Sequence, residues 1–198
     1  NVIDGDTATI TARMVDRTGN PVPDGTVISF VAEGGRITPN CASSAGQCTV
    51  TLSTQNPRPL DNRVTILAYG EGDKSFVDKN GDNVYTVDTD TLSSNIGDFF
   101  RDDNEDNLYS ANLGEYLYKR GASGATCAPS EIRQPNIVGT CDNKLDAVIR
   151  QQLLFAFAEN TPTFTNVNAS GSLLSFNMYG NSAQSVPMPT GTTISVTP

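Results

Sequence analysis

The 198 residues are enough for one large domain or two small ones, and either could bury a proper core. A hydrophobic content of 37%, with 17 Gly and 11 Pro spread along the chain, implies many turns joining short strands rather than a few long helices. The net charge of −9 leaves no basic stripe for nucleic acid or an anionic membrane, and the lack of His removes Ser-His-Asp and Cys-His catalysis and His-containing zinc sites.

Residues 7–16 place Ala8, Ile10, Ala12 and Met14 on one face at period 2, which predicts a strand buried on one side. A turn cluster follows at 18–25, where Asn20-Pro21 restricts the backbone and Asp24-Gly25 supplies positive φ. The next strand is expected over 26–32, with Val27, Ser29 and Val31 on one face and Ile28 and Phe30 on the other. After a Gly34-Gly35 break, 47–53 and 63–69 complete a set of strands at the short spacing of a β-sandwich.

The four Cys fall into two local pairs, Cys41/Cys48 and Cys127/Cys141, and neither has the Cys-x-x-Cys spacing of a redox or zinc site. Disulfides are therefore expected. Three connectivities exist, and nearest-neighbour pairing is favoured because each bridge would close a short loop and contribute about 2.5–3 kcal/mol. That chemistry points to an oxidising compartment: the cell exterior, the cell surface or the periplasm. No apolar run of about 20 residues could span a membrane, and the abrupt, strand-like start at Asn1 reads as a mature piece or an excised fragment.

Asp6-Thr-Ala-Thr-Ile-Thr-Ala12, Gly19-Asn-Pro-Val-Pro-Asp-Gly-Thr-Val-Ile-Ser-Phe30, Gly34-Gly35 and Ala45-Gly-Gln-Cys-Thr-Val-Thr-Leu52 together resemble the bacterial immunoglobulin-like repeat of the invasin/intimin type. The resemblance covers roughly residues 4–71. It implies an antiparallel immunoglobulin-like sandwich that serves as a stalk or display module in surface proteins, with neighbouring repeats of the same chain as partners and no catalytic residues. The short strand that usually precedes the first matched motif is mostly missing here.

Val22-Pro-Asp-Gly-Thr-Val-Ile-Ser29 is echoed by Met188-Pro-Thr-Gly-Thr-Thr-Ile-Ser195, each after a Gly-Asn pair. On that reading 172–179 matches the first strand, and 123–198 forms a second, divergent immunoglobulin-like unit. Residues 144–159 read as a strand from the bulky alternation after Leu153, although their first half also suits a helix; 160–165 reads as a Pro-centred turn. The expected organisation is all-β: a sandwich over 1–71, an Asp/Asn-rich loop insertion over 72–122, and the second unit over 123–198.

That insertion holds the one chemically specialised pattern. Phe76-Val-Asp78-Lys-Asn80-Gly-Asp82-Asn83-Val84-Tyr85-Thr86 recurs as Phe100-Arg-Asp102-Asp-Asn104-Glu-Asp106-Asn107-Leu108-Tyr109-Ser110. Counting from Asp78 or Asp102, side-chain oxygens stand at loop positions 1, 3, 5 and 9 and a backbone carbonyl (Val84 or Leu108) at position 7, the oxygen spacing of a Ca²⁺ loop. Position 6 is Asn83 or Asn107, the best non-Gly residue for a left-handed turn. Tyr85 and Tyr109, at position 8, are expected to pack inward. Position 12 departs from the pattern, being Thr89 and Leu113, so the closing carboxylate is expected from Asp88 or Asp90 in the first loop and from Glu115 in the second. No flanking amphipathic helices are evident. Bound Ca²⁺ would order 76–118 and set the orientation of the two sandwiches.

The function expected from this reading is a non-catalytic structural or adhesive module, acting on a host or cell-surface protein or a glycan. The alternative is a carbohydrate- or ligand-binding module, which would want an aromatic platform. Trp is lacking, and the tyrosines show no planar strip. Glycoside hydrolysis by paired carboxylates is disfavoured because the carboxylates sit at metal-ligand spacing.

Overall fold

A computed structural model describes residues 4–122 and 124–195. In chain order the strands are β1 (Thr7–Arg13), β2 (Val27–Ala32), β3 (Arg36–Ile37), β4 (Asn40–Ala42), β5 (Gln47–Ser53), β6 (Arg63–Asp73), β7 (Phe76–Val77), β8 (Thr91–Leu92), β9 (Phe99–Phe100), β10 (Leu117–Tyr118), β11 (Asp146–Ala156), β12 (Thr163–Ser170) and β13 (Leu173–Tyr179). A single 3-10 turn, Ala111–Leu113, interrupts this all-β chain among the described residues.

A three-stranded sheet, ordered β1-β5-β3, lies against a four-stranded sheet, ordered β11-β6-β2-β4, and all pairings are antiparallel. Alternation decides which side chains meet. In β5, Cys48, Val50 and Leu52 are buried while Gln47, Thr49 and Thr51 face solvent. They join Ile10 of β1, Ile28 and Phe30 of β2, Val64 and Ile66 of β6, and Phe157 in one core. Ala12 and Met14 pack at its margin, as their period predicts. Truncating Leu52, which is fully buried, to Ala would cost about 2–5 kcal/mol. Both disulfides join nearest neighbours; Cys41–Cys48 ties β4 to β5 and so links the two sheets, and Cys127–Cys141 closes a loop ahead of β11. Gly35, at φ +73, is required where it stands, since a Cβ there would meet the Ser53 carbonyl at 2.7 Å.

The strand pairing redraws the expected organisation. β6 runs on to Asp73, and β11 pairs with it from Asp146↔Asp73 to Ala156↔Arg63. Residues 144–159 thus hold a strand, but it belongs to the sheet of the first sandwich rather than to a separate unit. An eleven-residue β6 would otherwise carry a long row of unpaired backbone groups, and β11 covers them. Among the described residues the rest of 123–198 contributes a two-stranded hairpin, β12–β13, and no second sandwich. β12 begins directly after Pro162, inside the stretch expected to be a turn, and the segment 188–195 that echoes Val22–Ser29 forms no strand.

Nor does 72–122 separate two units. It folds back over the outer face of the four-stranded sheet, where Phe99, Tyr116 and Tyr118 pack against Val31, Leu67, Tyr69 and Val148. Tyr69 and Phe99 rings lie 5.5 Å apart, and Phe99 and Tyr118 stack at 4.8 Å. β2 therefore serves two cores, with Ile28 and Phe30 inward and Val31 outward. Among the described residues, buried Arg150 braces this third layer without a carboxylate partner. It donates to the Pro135 and Val148 carbonyls and to Asn136 Oδ1 and lies 5.1 Å from the Phe99 ring centroid. Burial pushes its guanidinium down to about 10. Lys74, also buried, reaches the Asp142 carboxylate at 2.7 Å.

Candidate metal centre

Each acidic repeat folds as a loop wired by its own carboxylates. β7 and β8 pair to close the first. There Asp78 Oδ1 accepts the Gly81 N–H and Oδ2 the Asn83 N–H, both at 2.7 Å. Asn80 Oδ1 accepts from Asp82 N–H at 3.3 Å, and Asp82 Oδ1 from Val84 N–H at 2.8 Å. In the second loop Asp102 accepts from Asp106 and Asn107 N–H at 3.2 and 2.8 Å. Asn104 Oδ1 takes the Asp106 N–H at 3.4 Å, and Asp106 Oδ1 the Leu108 N–H at 2.7 Å. Val84 and Leu108 expose their side chains, consistent with a role for their backbone alone.

The turns match as well. Position 4 (Gly81, φ 77; Glu105, φ 55) and position 6 (Asn83, φ 61; Asn107, φ 62) are left-handed in both loops. A Phe two residues before each loop packs on the Tyr at position 8: Phe76 on Tyr85 at 5.3 Å and Phe100 on Tyr109 at 5.9 Å, each pair tilted by 60°.

One further carboxylate is hydrogen-bonded across each loop. Asp90 accepts the N–H of Lys79 at 2.9 Å and of Thr86 at 2.7 Å. Glu115 accepts the N–H of Asp103 at 3.2 Å and of Ser110 at 2.6 Å. In both loops these are the residues at positions 2 and 9. Glu115 stands one residue further along its loop than Asp90 does, and its extra methylene makes up the reach. Asp88 is exposed, at φ 72, and has no such contacts.

The surroundings differ. Among the proposed ligands the difference lies at position 1, where Asp102 is fully buried and Asp78 half-buried; Asn80, Asp82, Asn104 and Asp106 are all exposed, and Asp90 and Glu115 are both buried. Hydrogen bonding, first from the Asn83 N–H, holds the Asp78 carboxyl below its usual range. Burial instead raises Asp102, Glu105 and Glu115. The second loop is also fastened to the sheet. Gln152 of β11 accepts the Asp102 N–H at 3.0 Å and donates to its carbonyl at 3.2 Å, and that carbonyl also accepts the Thr65 hydroxyl. Arg101 donates to the Ala32 carbonyl and pairs with Asp103, and Arg63 pairs with Glu105 at 2.9 Å. Arg101 and Gln152 carry no motif, and only the pairing of β11 with β6 brings Gln152 beneath the loop.

Among the described residues, no group of three or more His, Cys, Asp or Glu side chains converges to hold a metal ion. Each loop instead offers a mixed set of carboxylate, amide and main-chain oxygens. A carboxylate oxygen that accepts one N–H keeps a second lone pair, so the wiring leaves donor capacity on every carboxylate. An all-oxygen donor set of this kind fits a hard cation. No family model matches the chain, and no curated protein or solved structure matches it.

Proposed function

We propose that this chain is a non-catalytic structural or adhesive module of a bacterial surface or secreted protein, an immunoglobulin-like sandwich rigidified by Ca²⁺ at its two acidic loops. The observation that carries the reading is the shared wiring: two segments of different sequence place Asp, Asn, Asp and a closing carboxylate against equivalent backbone groups. Asp78, Asn80, Asp82, Asp90 and the Val84 carbonyl would hold one ion; Asp102, Asn104, Asp106, Glu115 and the Leu108 carbonyl would hold the other. When bound, the cation supplies positive charge to carboxylates that burial now disfavours. Because the second loop is fastened to β11 and to Thr65 of β6, ordering it also fastens the third layer to the sandwich.

Two disulfides support an extracellular or periplasmic setting, and among the described residues no helix is long and apolar enough to cross a membrane. The resemblance of residues 4–71 to invasin/intimin-type repeats supports the display role, with neighbouring repeats and a host or cell-surface protein or glycan as partners. A carbohydrate platform is less favoured, because Tyr69, Tyr116 and Tyr118 pack on Phe99 and on each other in the third layer.

Loops of this helix-free kind bind on the order of 10⁻⁴–10⁻³ M. At 10 mM Ca²⁺, ~10–100 times such a constant, a bound ion contributes about 1.4–2.7 kcal/mol, or a rise of about 3–10 °C in melting temperature for a chain of this size. Melting with EDTA against 10 mM Ca²⁺, with native mass spectrometry to count ions, tests the proposal. Two bound ions and a raised midpoint are expected; an unchanged midpoint with no bound ion overturns it.

A further inference from the structure

Asparagine is followed directly by glycine once in the chain, at Asn80-Gly81 in the first acidic loop. That order carries chemistry of its own. The backbone nitrogen of the following residue can attack the asparagine side-chain carbon and close a five-membered ring, with both reacting groups already held on one chain. Gly is the one following residue with no Cβ to hinder that nitrogen. Both residues are exposed, and nothing stands within 4 Å of where a Cβ on Gly81 would project, so water reaches the pair. The second loop supplies the comparison. Asn104 is exposed too and is bonded as Asn80 is: Asn80 Nδ2 donates to Asp82 at 2.9 Å, and Asn104 Nδ2 to Asp106 at 2.8 Å. The residue after Asn104 is Glu105, however, which carries a side chain paired with Arg63.

Asp78 bears on the same nitrogen. Its Oδ1 accepts the Gly81 N–H at 2.7 Å. The nitrogen must give up that hydrogen to attack, and an anionic acceptor both holds the hydrogen and opposes the negative charge that develops behind it. We infer that Asn80 is a site of spontaneous deamidation and that Asp78 restrains the reaction while the loop is folded. In the first step the Gly81 nitrogen bonds to Asn80 Cγ, the Cγ–Nδ2 bond breaks, and ammonia leaves with the hydrogen that Gly81 gave up. One water then opens the cyclic imide at either carbonyl, leaving Asp or isoaspartate. Nothing is oxidised or reduced. The Asp product sets a carboxylate against Asp82 where an amide donor stood, and isoaspartate also adds a methylene to the loop backbone. The chemistry needs no Ca²⁺; on the Ca²⁺ reading the new carboxylate would stand at position 3 of the first ligand set.

The test is prolonged incubation of the whole chain at neutral pH in EDTA. Peptide mapping by mass spectrometry locates each exchange of NH for O, and isoaspartyl methyltransferase labelling detects isoaspartate. Asn80 should convert before every other asparagine, with Asn104 at least ~10-fold slower because its neighbour carries a side chain. Asp78→Ala removes a charge-assisted bond and should speed conversion at Asn80 by ~10-fold or more. Unfolding the unaltered chain in guanidinium frees the same N–H and should speed it likewise. Asp90→Ala loosens the loop elsewhere, at the Lys79 and Thr86 N–H groups, and should change the rate far less. No conversion at Asn80 even in guanidinium, equal rates at Asn80 and Asn104, or Asp78→Ala reacting no faster than Asp90→Ala would each overturn the inference.

Discussion

The two acidic loops share one internal plan and differ in how deeply the first carboxylate of each is buried. In the first, solvent surrounds the turn, and the backbone N–H groups that Asp78 accepts are enough to hold its carboxyl low. In the second the same bonds are present, yet burial outweighs them and raises Asp102. The pair separates what a loop's sequence determines from what its placement determines. Spacing sets the wiring; the sheet beneath sets the electrostatics. The first loop is a turn that can accept a cation, whereas the second is built into the wall of the molecule and carries raised, buried carboxylates.

The sharpest way to break this contrast is Asp102→Ala against Asp78→Ala, both in EDTA. Removing Asp102 strips the acceptor from two backbone N–H groups at a fully buried position. A loss of about 2–3 kcal/mol is expected in urea denaturation. Asp78→Ala removes the same two kinds of bond where water can replace them, so its effect should be much smaller. Equal losses would mean that burial does not distinguish the loops. Added Ca²⁺ should then stabilise each variant less than the unaltered chain.

Part of this arrangement was legible from the residues alone. Periodicity placed the strands at 7–13, 27–32 and 47–53 closely, because each buries one face locally and is bounded by Gly, Pro or Asp-Gly turns. The oxygen spacing at positions 1, 3 and 5 and the left-handed Asn at position 6 were legible for the same local reason. What could not be read was long-range. Nothing in Asp146–Ala156 announces that its partner is β6, across a separation longer than the whole acidic segment. That one pairing cuts across the expected division into three parts, and it also brings Gln152 beneath the second loop. The closing carboxylate was hidden more narrowly. Asp88 and Asp90 differ by two residues, and only the left-handed turn at Asp88 tells which of them reaches Lys79 and Thr86.

A second test uses the border between the sandwich and the second loop. Glu33 accepts the Thr65 N–H at 3.0 Å. Burial pushes its carboxyl up to about 7, with the Thr65 bond holding it back and the Asp103 charge adding to the rise. The folded chain thus keeps a proton that the unfolded chain releases near its ordinary value of 4.5. The stability gained from that proton is complete below pH 4.5 and is lost as pH rises to about 7. Glu33 is only half-buried, so solvent screening reduces the change to about 1–2 kcal/mol. Glu33→Gln retains the acceptor for Thr65 and should flatten stability across this window, leaving the variant more stable than the parent at pH 8. A variant that keeps the full slope would place the titration elsewhere.

The smallest effect separates the loops at their matching left-handed turns. Asn83 and Asn107 occupy the same position at φ 61 and 62, where Gly avoids the penalty of a side chain in that region. Asn107 also carries a buried Oδ1 with no hydrogen-bond partner among the described residues. Asn107→Gly removes both costs and should stabilise the chain by about 1 kcal/mol, while Asn83→Gly, in the open loop, should change it by a few tenths at most. Urea midpoints measured side by side in EDTA resolve a difference of that size. If the first loop gained as much as the second, the contrast would belong to the turn itself and not to the sheet on which the second loop rests.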